Sequence, residues 1–193
     1  MKTVVVVRHG QKDGDALTPV GAMQIFAAVL ALVKEYKFQF SHLFYSGANR
    51  TWQAMQVAIA IVGKDAQAGL EELLNFQQIY KILGDDEQKR VLGDIPQIRA
   101  AGGTVANALE LGGRYPTLAR DRMTQAILKI ADAMPDECAA LCFSHSPYAE
   151  LAAPSAGAMT YAIGEADAVE YRVKDGVIVS AALIPAPMAG KSN

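Results

Sequence analysis

The chain has 193 residues, of which 51% are hydrophobic and 20% charged, with 8 Pro and 16 Gly. At about 150 residues per domain this composition describes one compact domain with a sizeable core, and it excludes a disordered or collagen-like chain. A formal charge of -2 offers no general positive field for nucleic acid or anionic lipid, so any cationic site must be concentrated in a pocket.

Thr3 to Val7 is an unbroken β-branched run, the pattern of a strand buried on both faces in the middle of a parallel sheet. Thr18-Pro19 supplies a helix cap and a first-turn proline, and Ile25, Val29, Leu32 and Tyr36 then mark one apolar face of a helix over 19–36. Leu43-Phe44-Tyr45 predicts a second strand, broken by Ser46-Gly47-Ala48-Asn49. A second helix follows, with Met55, Ala58, Ile59 and Val62 inward and Gly63 at its end. Residues 73–114 are less regular, with a charged run over 85–90 and paired glycines at 102–103 and 112–113. They predict short helices between joints, either ordinary packing or a cap insertion over a pocket.

After Pro116, the spacing of Met123, Ile127, Ile130 and Met134 predicts another helix, closed by Pro135. Ala139 to Phe143 is the next buried strand and runs straight into Ser144-His145-Ser146-Pro147. Val169–Val173 and Val177–Leu183 flank Lys174-Asp175-Gly176 as a hairpin, and Pro185 to Asn193 read as a frayed tail. Alternating strands and helices predict a single α/β domain over 1–193: a three-layer αβα sandwich with a mainly parallel central sheet and a C-terminal β-hairpin.

Cys138 and Cys142 lie in an apolar run and are expected to be core thiols. In an extended strand their Cα atoms would stand roughly 13 Å apart, beyond the ~7 Å limit for a bridge. The longest clean apolar stretch, Ile25 to Val33, is far short of the ~18 residues that a membrane span needs, and no cleavage-site pattern follows Val4–Val7. A cytoplasmic location is therefore expected, with no membrane or nucleic-acid partner.

In open parallel sheets ligands bind beyond the carboxyl ends of the strands. Three polar groups occupy such places: Arg8-His9-Gly10, Ser46 to Arg50, and Ser144-His145-Ser146. Two of the three histidines, His9 and His145, fall among them. Arg8 and Arg50 bring planar, permanently charged forks suited to paired bonds with phosphate oxygens. Two arginines and two histidines in one cavity describe a site for a doubly charged tetrahedral anion. The third histidine, His42, begins a strand away from the pocket edge and is expected to be structural.

The ordered set formed by Val5-Val6-Val7-Arg8-His9-Gly10, Leu17-Thr18-Pro19-Val20-Gly21-Ala22-Met23-Gln24, Tyr45-Ser46-Gly47-Ala48-Asn49-Arg50-Thr51-Trp52-Gln53-Ala54, Leu70-Glu71-Glu72 and Cys142-Phe143-Ser144-His145 resembles the histidine phosphatase superfamily, also called the phosphoglycerate mutase-like family. The likeness spans most of the chain outside roughly 75–115. It implies that His9 attacks phosphorus and carries a phosphohistidine, that Arg8, Arg50 and His145 hold the phosphoryl oxygens with Ser146 as a further binding residue, and that Glu72, or else Glu71, protonates the leaving oxygen. It implies no cofactor. The sequence contains no His-x-x-x-His and no Cys-x-x-Cys.

The chain departs from the family pattern in several places. The loop Gln11 to Ala16 is short and has no Asn, which favours a compact phosphatase over a mutase. Ser146 stands where Gly is usual, and where one branch of the family carries its acid. The common Gly-Glu-Ser element is missing. The expected substrate is a phosphomonoester or a phosphohistidine, borne on a small molecule or a phosphoprotein. The competing reading is a phosphate- or phosphoprotein-binding module of the same fold with little turnover. A serine hydrolase at Ser144 or Ser146 would need the Gly-x-Ser-x-Gly elbow, which is absent, as are both glycine-rich nucleotide motifs.

Overall fold

The computed structural model describes residues 1–75, 83–100, 114–146, 148–153 and 163–187. Strand β1 (Lys2–Arg8) is followed by a small hairpin, β2 (Lys12–Asp13) and β3 (Ala16–Leu17), then α1 (Pro19–Lys34), β4 (Phe40–Tyr45), α2 (Asn49–Val62) and β5 (Gln67–Leu70). A 3-10 turn over Glu72–Leu74, α3 (Asp85–Ala100) and α4 (Arg114–Ala133) lead to β6 (Ala139–Ser144), and β7 (Ala168–Lys174) and β8 (Val177–Ile184) complete the order.

Six strands form one sheet in the order β5-β4-β6-β1-β7-β8. The first four are parallel, and β7 and β8 add an antiparallel hairpin beside β1. Val4 to Val7 are wholly buried because both faces of β1 are covered. Val4 and Val6 join Ala140 and Cys142 against Met123, Ile127 and Ile130 of α4. Val5 and Val7 join Leu141 and Phe143 against Ile25, Val29 and Leu32 of α1 and Met55 of α2. This alternation makes the three layers. Both thiols are free, as expected, with Cys142 inside β6 and Cys138 just before it.

Thr18 caps α1 by accepting from Gly21 N–H at 3.0 Å, with Pro19 in the first turn. The helix stops at Lys34 rather than at 36, because Lys37 turns the chain through a left-handed conformation at φ 61°. Within 73–114, the described residues 85–100 are more regular than the sequence predicts: α3 is one 16-residue helix that runs through Pro96. Val91 of α3 is buried in the same core as α4, and Asp94 accepts from Tyr115 N–H at 2.7 Å. The paired glycines at 102–103 and 112–113 lie outside the described residues, as does 188–193 of the expected tail. Among the described residues no helix is long and apolar enough to cross a membrane.

The loop after β1 passes close to the start of α1. A Cβ on Gly10 would overlap the Gly21 carbonyl, and one on Gly21 would overlap the Gln11 carbonyl. Only glycines let these two backbones touch, which fixes the loop that follows His9. Gly21→Ala is therefore expected to lower stability by at least about 2 kcal/mol in urea unfolding, and an unchanged midpoint would show that the loop is free to move.

Candidate active site

Register decides where the polar residues emerge. Arg8 pairs with Ser144 and Tyr45 with Phe143, so β1, β6 and β4 end at one edge of the sheet. His9 N–H continues the ladder to Ser144 O at 3.1 Å. The imidazoles of His9 and His145 consequently meet edge to face, with ring centroids 5.3 Å apart.

His9 is buried, and its Nδ1 lies 2.8 Å from Gly10 O. A carbonyl can only accept, so Nδ1 carries the proton and Nε2 keeps a lone pair. Burial and the charges of Arg50 and Arg8 lower its pKa, which favours the neutral, nucleophilic form.

The second imidazole is oriented by a directed chain of bonds. Arg50 Nη2 donates to His145 Nδ1 at 3.1 Å, so Nε2 bears the hydrogen and gives it to Ser46 Oγ at 2.8 Å. Ser46 then donates to Thr51 Oγ1 at 3.0 Å, and Thr51 to Ala48 O at 2.8 Å. Every proton in the chain is accounted for. Desolvation, then Arg50, His9 and Arg8, push the His145 pKa down to about 3, so this ring is neutral throughout the neutral range.

Arg50 sits in the first turn of α2, where the helix dipole adds to its charge. Its other nitrogen, Nη1, binds Asp15 from the β2–β3 hairpin, and Asp15 also accepts from Asn49 N–H at 3.2 Å. The first turn of α2 thus takes a cap from a distant hairpin, because Ala48 has no side chain to supply one. Arg8 donates Nη1 to Ile163 O at 2.6 Å, and the Nε atoms of both arginines are buried without a partner among the described residues.

The two candidate acids differ sharply in setting. Glu71 is buried, with Oε1 capping Leu73 N–H at 3.1 Å and Oε2 paired with Lys129 Nζ at 2.8 Å. Glu72 is exposed. No hydrogen bond ties either to the arginine and histidine group among the described residues. Their turn nevertheless adjoins the end of β6: Ser144 Oγ donates to Leu74 O at 2.7 Å, and Tyr148 Oη to Leu73 O at 2.5 Å. Ser146 spends its hydroxyl proton on Glu150 Oε1 at 2.6 Å, which leaves that oxygen only acceptor capacity. His42 lies within β4, buried against Phe44 with ring centroids 6.2 Å apart.

Three participants escape sequence reasoning: Asp15, Thr51 and Glu150. Thr51 falls inside a quoted motif, but nothing in its spacing shows a bond to Ser46. Asp15 and Glu150 have no sequence signal, because their partners are brought near only by the fold.

The fold is that of the histidine phosphatases, as the motif resemblance implies. Among solved structures the chain matches a mycobacterial glucosyl-3-phosphoglycerate phosphatase with inorganic phosphate at a TM-score of 0.62 and 17% identity, covering 94% of this chain and 95% of that one. Phosphoserine phosphatase from Entamoeba histolytica in complex with 3-phosphoglyceric acid matches at 0.58 and 17% identity, over 94% and 96%. The protein histidine phosphatase SixA complexed with tungstate matches at 0.54 and 13%, over 94% of each chain. No protein-family model and no curated protein sequence matches the chain.

The neutral burial of His145 has a consequence for stability. Its unfolded pKa is near 6.5 and its folded value about 3, so below about pH 6.5 the unfolded chain binds a proton that the folded one refuses. Stability is fully present above that pH and falls as pH falls, by on the order of a kcal/mol per unit between about pH 6 and 4. Urea unfolding across this range should show a shallower pH slope in His145→Gln than in the wild type; equal slopes would contradict the neutral, relay-bound ring.

Proposed function

We propose that the protein is a phosphatase that works through a covalent phosphohistidine on His9. The observation that carries this reading is the pair of imidazoles 5.3 Å apart at one sheet edge, one with a free Nε2 lone pair and the other bound to Arg50. His9 Nε2 attacks phosphorus, the bond to the leaving oxygen breaks, and a carboxylic acid returns a proton to that oxygen. Water then attacks the phosphohistidine, releasing phosphate and restoring His9. Arg8 and Arg50 hold the equatorial oxygens and offset their charge, so two guanidiniums do what a metal does elsewhere, and the reaction as read needs no metal. Arg50 must exchange Asp15 for the phosphoryl group as the substrate enters.

Glu72 is the proposed proton donor. Both Glu71 oxygens are committed to Leu73 and Lys129, whereas Glu72 is exposed on the turn held against β6. With strands about 4.8 Å apart, the end of β5 stands roughly 10 Å from that of β6, on the side where a leaving group would lie. The 73–114 segment, anchored on α4 through Val91 and Asp94, is the proposed cap over that side. The structural neighbours act on phosphoserine, a glucosyl phosphoglycerate and protein phosphohistidine, which supports a phosphomonoester or phosphohistidine substrate.

Removal of the nucleophile tests the assignment directly. His9→Ala should abolish both acid-labile phosphate incorporation and hydrolysis of p-nitrophenyl phosphate, while circular dichroism stays native; activity at the wild-type level sinks the mechanism. Phosphate binding without turnover in the wild type would instead support the binding-module reading. Glu72→Gln should reduce kcat on an alkyl phosphate by about a hundredfold, but alter hydrolysis of p-nitrophenyl phosphate little, because that leaving group departs without a proton. An equal effect on both esters would remove Glu72 from the role.

A further inference from the structure

One buried acid on the Arg8 side of the site has no task in the scheme above. Glu150 lies in the turn after His145 and has no solvent exposure. Its Oε1 accepts from Ser146 Oγ at 2.6 Å and from Ile163 N–H at 3.4 Å, while Oε2 is buried with no partner among the described residues. Such a group is costly to ionise unless a cation compensates it.

The cation whose charge acts on it is Arg8. The two side chains meet opposite ends of one residue, since Arg8 donates to Ile163 O at 2.6 Å and Ile163 N–H donates to Glu150. Among the described residues, the charged and titratable groups acting on this carboxyl are Arg8 from β1 and Tyr171 from β7, whose own hydroxyl donates to Ala149 O at 2.8 Å. The buried carboxyl and an anion in the pocket would therefore draw on the same guanidinium. Burial lifts Glu150 to about 7, with the Ser146 bond and Arg8 opposing, so it can change charge near neutral pH.

We propose that Glu150 is a proton-coupled positioning residue of this site, taking up one proton from solvent when a tetrahedral dianion engages Arg8 and releasing it when the anion leaves. The inference rests on the reading of the pocket as a phosphoryl site. A dianion on Arg8 offsets the positive charge that helps to keep the carboxylate ionised, and neutralising Glu150 is the least costly response. The neutral acid still accepts from Ser146 and Ile163 through Oε1, so the turn behind His145 keeps its bonds. Linkage then requires dianion affinity to fall as pH rises through the neutral range.

Calorimetric titration with tungstate, which stays a dianion through this range, tests the coupling at about pH 6, 7 and 8 in buffers of different ionisation heat. The wild type should bind about tenfold more weakly at pH 8 than at pH 6, with uptake of up to about one proton per tungstate. Glu150→Gln should bind tungstate with both the uptake and the pH slope removed. Infrared difference spectra of the wild type provide a second readout, a protonated-carboxyl band that appears on adding tungstate, and this band decides the matter if the variant does not fold. Tungstate binding without uptake or band, or undiminished uptake in Glu150→Gln, overturns the role of Glu150 alone. Failure of the wild type to bind tungstate overturns the pocket reading, and this inference with it.

Discussion

The parallel ladder between β1 and β6 pairs Arg8 with Ser144, and through that register it delivers His9 and His145 side by side. Side chains alternate along a strand, so a slip of one residue would send one imidazole to the other face of the sheet. The four valines of β1 and the alternating Ala140, Leu141, Cys142 and Phe143 of β6 hold the register, because successive residues are buried against opposite helix layers. Core packing and pocket geometry are thus one constraint. The glycine contact between the loop after His9 and the start of α1 extends the same control by one more turn of chain.

Charge within the pocket is only partly compensated, although buried cations ordinarily seek full pairing. Arg50 is divided between Asp15 on an exposed hairpin and a neutral imidazole, and Arg8 between a backbone carbonyl and the field of Glu150. Both keep a buried Nε without a partner among the described residues. The arginines are therefore oriented but not saturated, which suits the anion site proposed above. The bond chain from Arg50 through His145, Ser46 and Thr51 to Ala48 O fixes a single tautomer, so the second imidazole keeps one donor and one acceptor face without being charged. Phosphoryl transfer depends on such preorganised electrostatics more than on bond-making by the protein.

The sequence by itself determined the central strands, the flanking helices α1, α2 and α4, and the C-terminal hairpin. Each carries a strong local signal: unbroken β-branched runs, helical apolar spacing, or capping by Thr18 and Gly63. It also placed His9 and His145 just after strand ends; in the fold Arg8 is the last residue of β1 and Arg50 lies in the first turn of α2. Strand β5 gave no signal, since Gln67-Ala68-Gly69-Leu70 lacks β-branched residues and is a strand only because β4 offers an edge to pair with. Helix α3 was obscured by its charged run over 85–90 and the paired glycines beyond it, yet it persists through Pro96 because Val91 is anchored on the α4 core. What tertiary structure alone decided is which polar groups share a proton or a charge: Asp15 with Arg50, Ser46 with His145, Glu150 with Ser146 and Ile163, and the contrast between buried Glu71 and exposed Glu72. Periodicity reports what a residue presents to the core. Pairing across the pocket depends on distances between segments far apart in the chain, and those distances exist only once the sheet has closed its register.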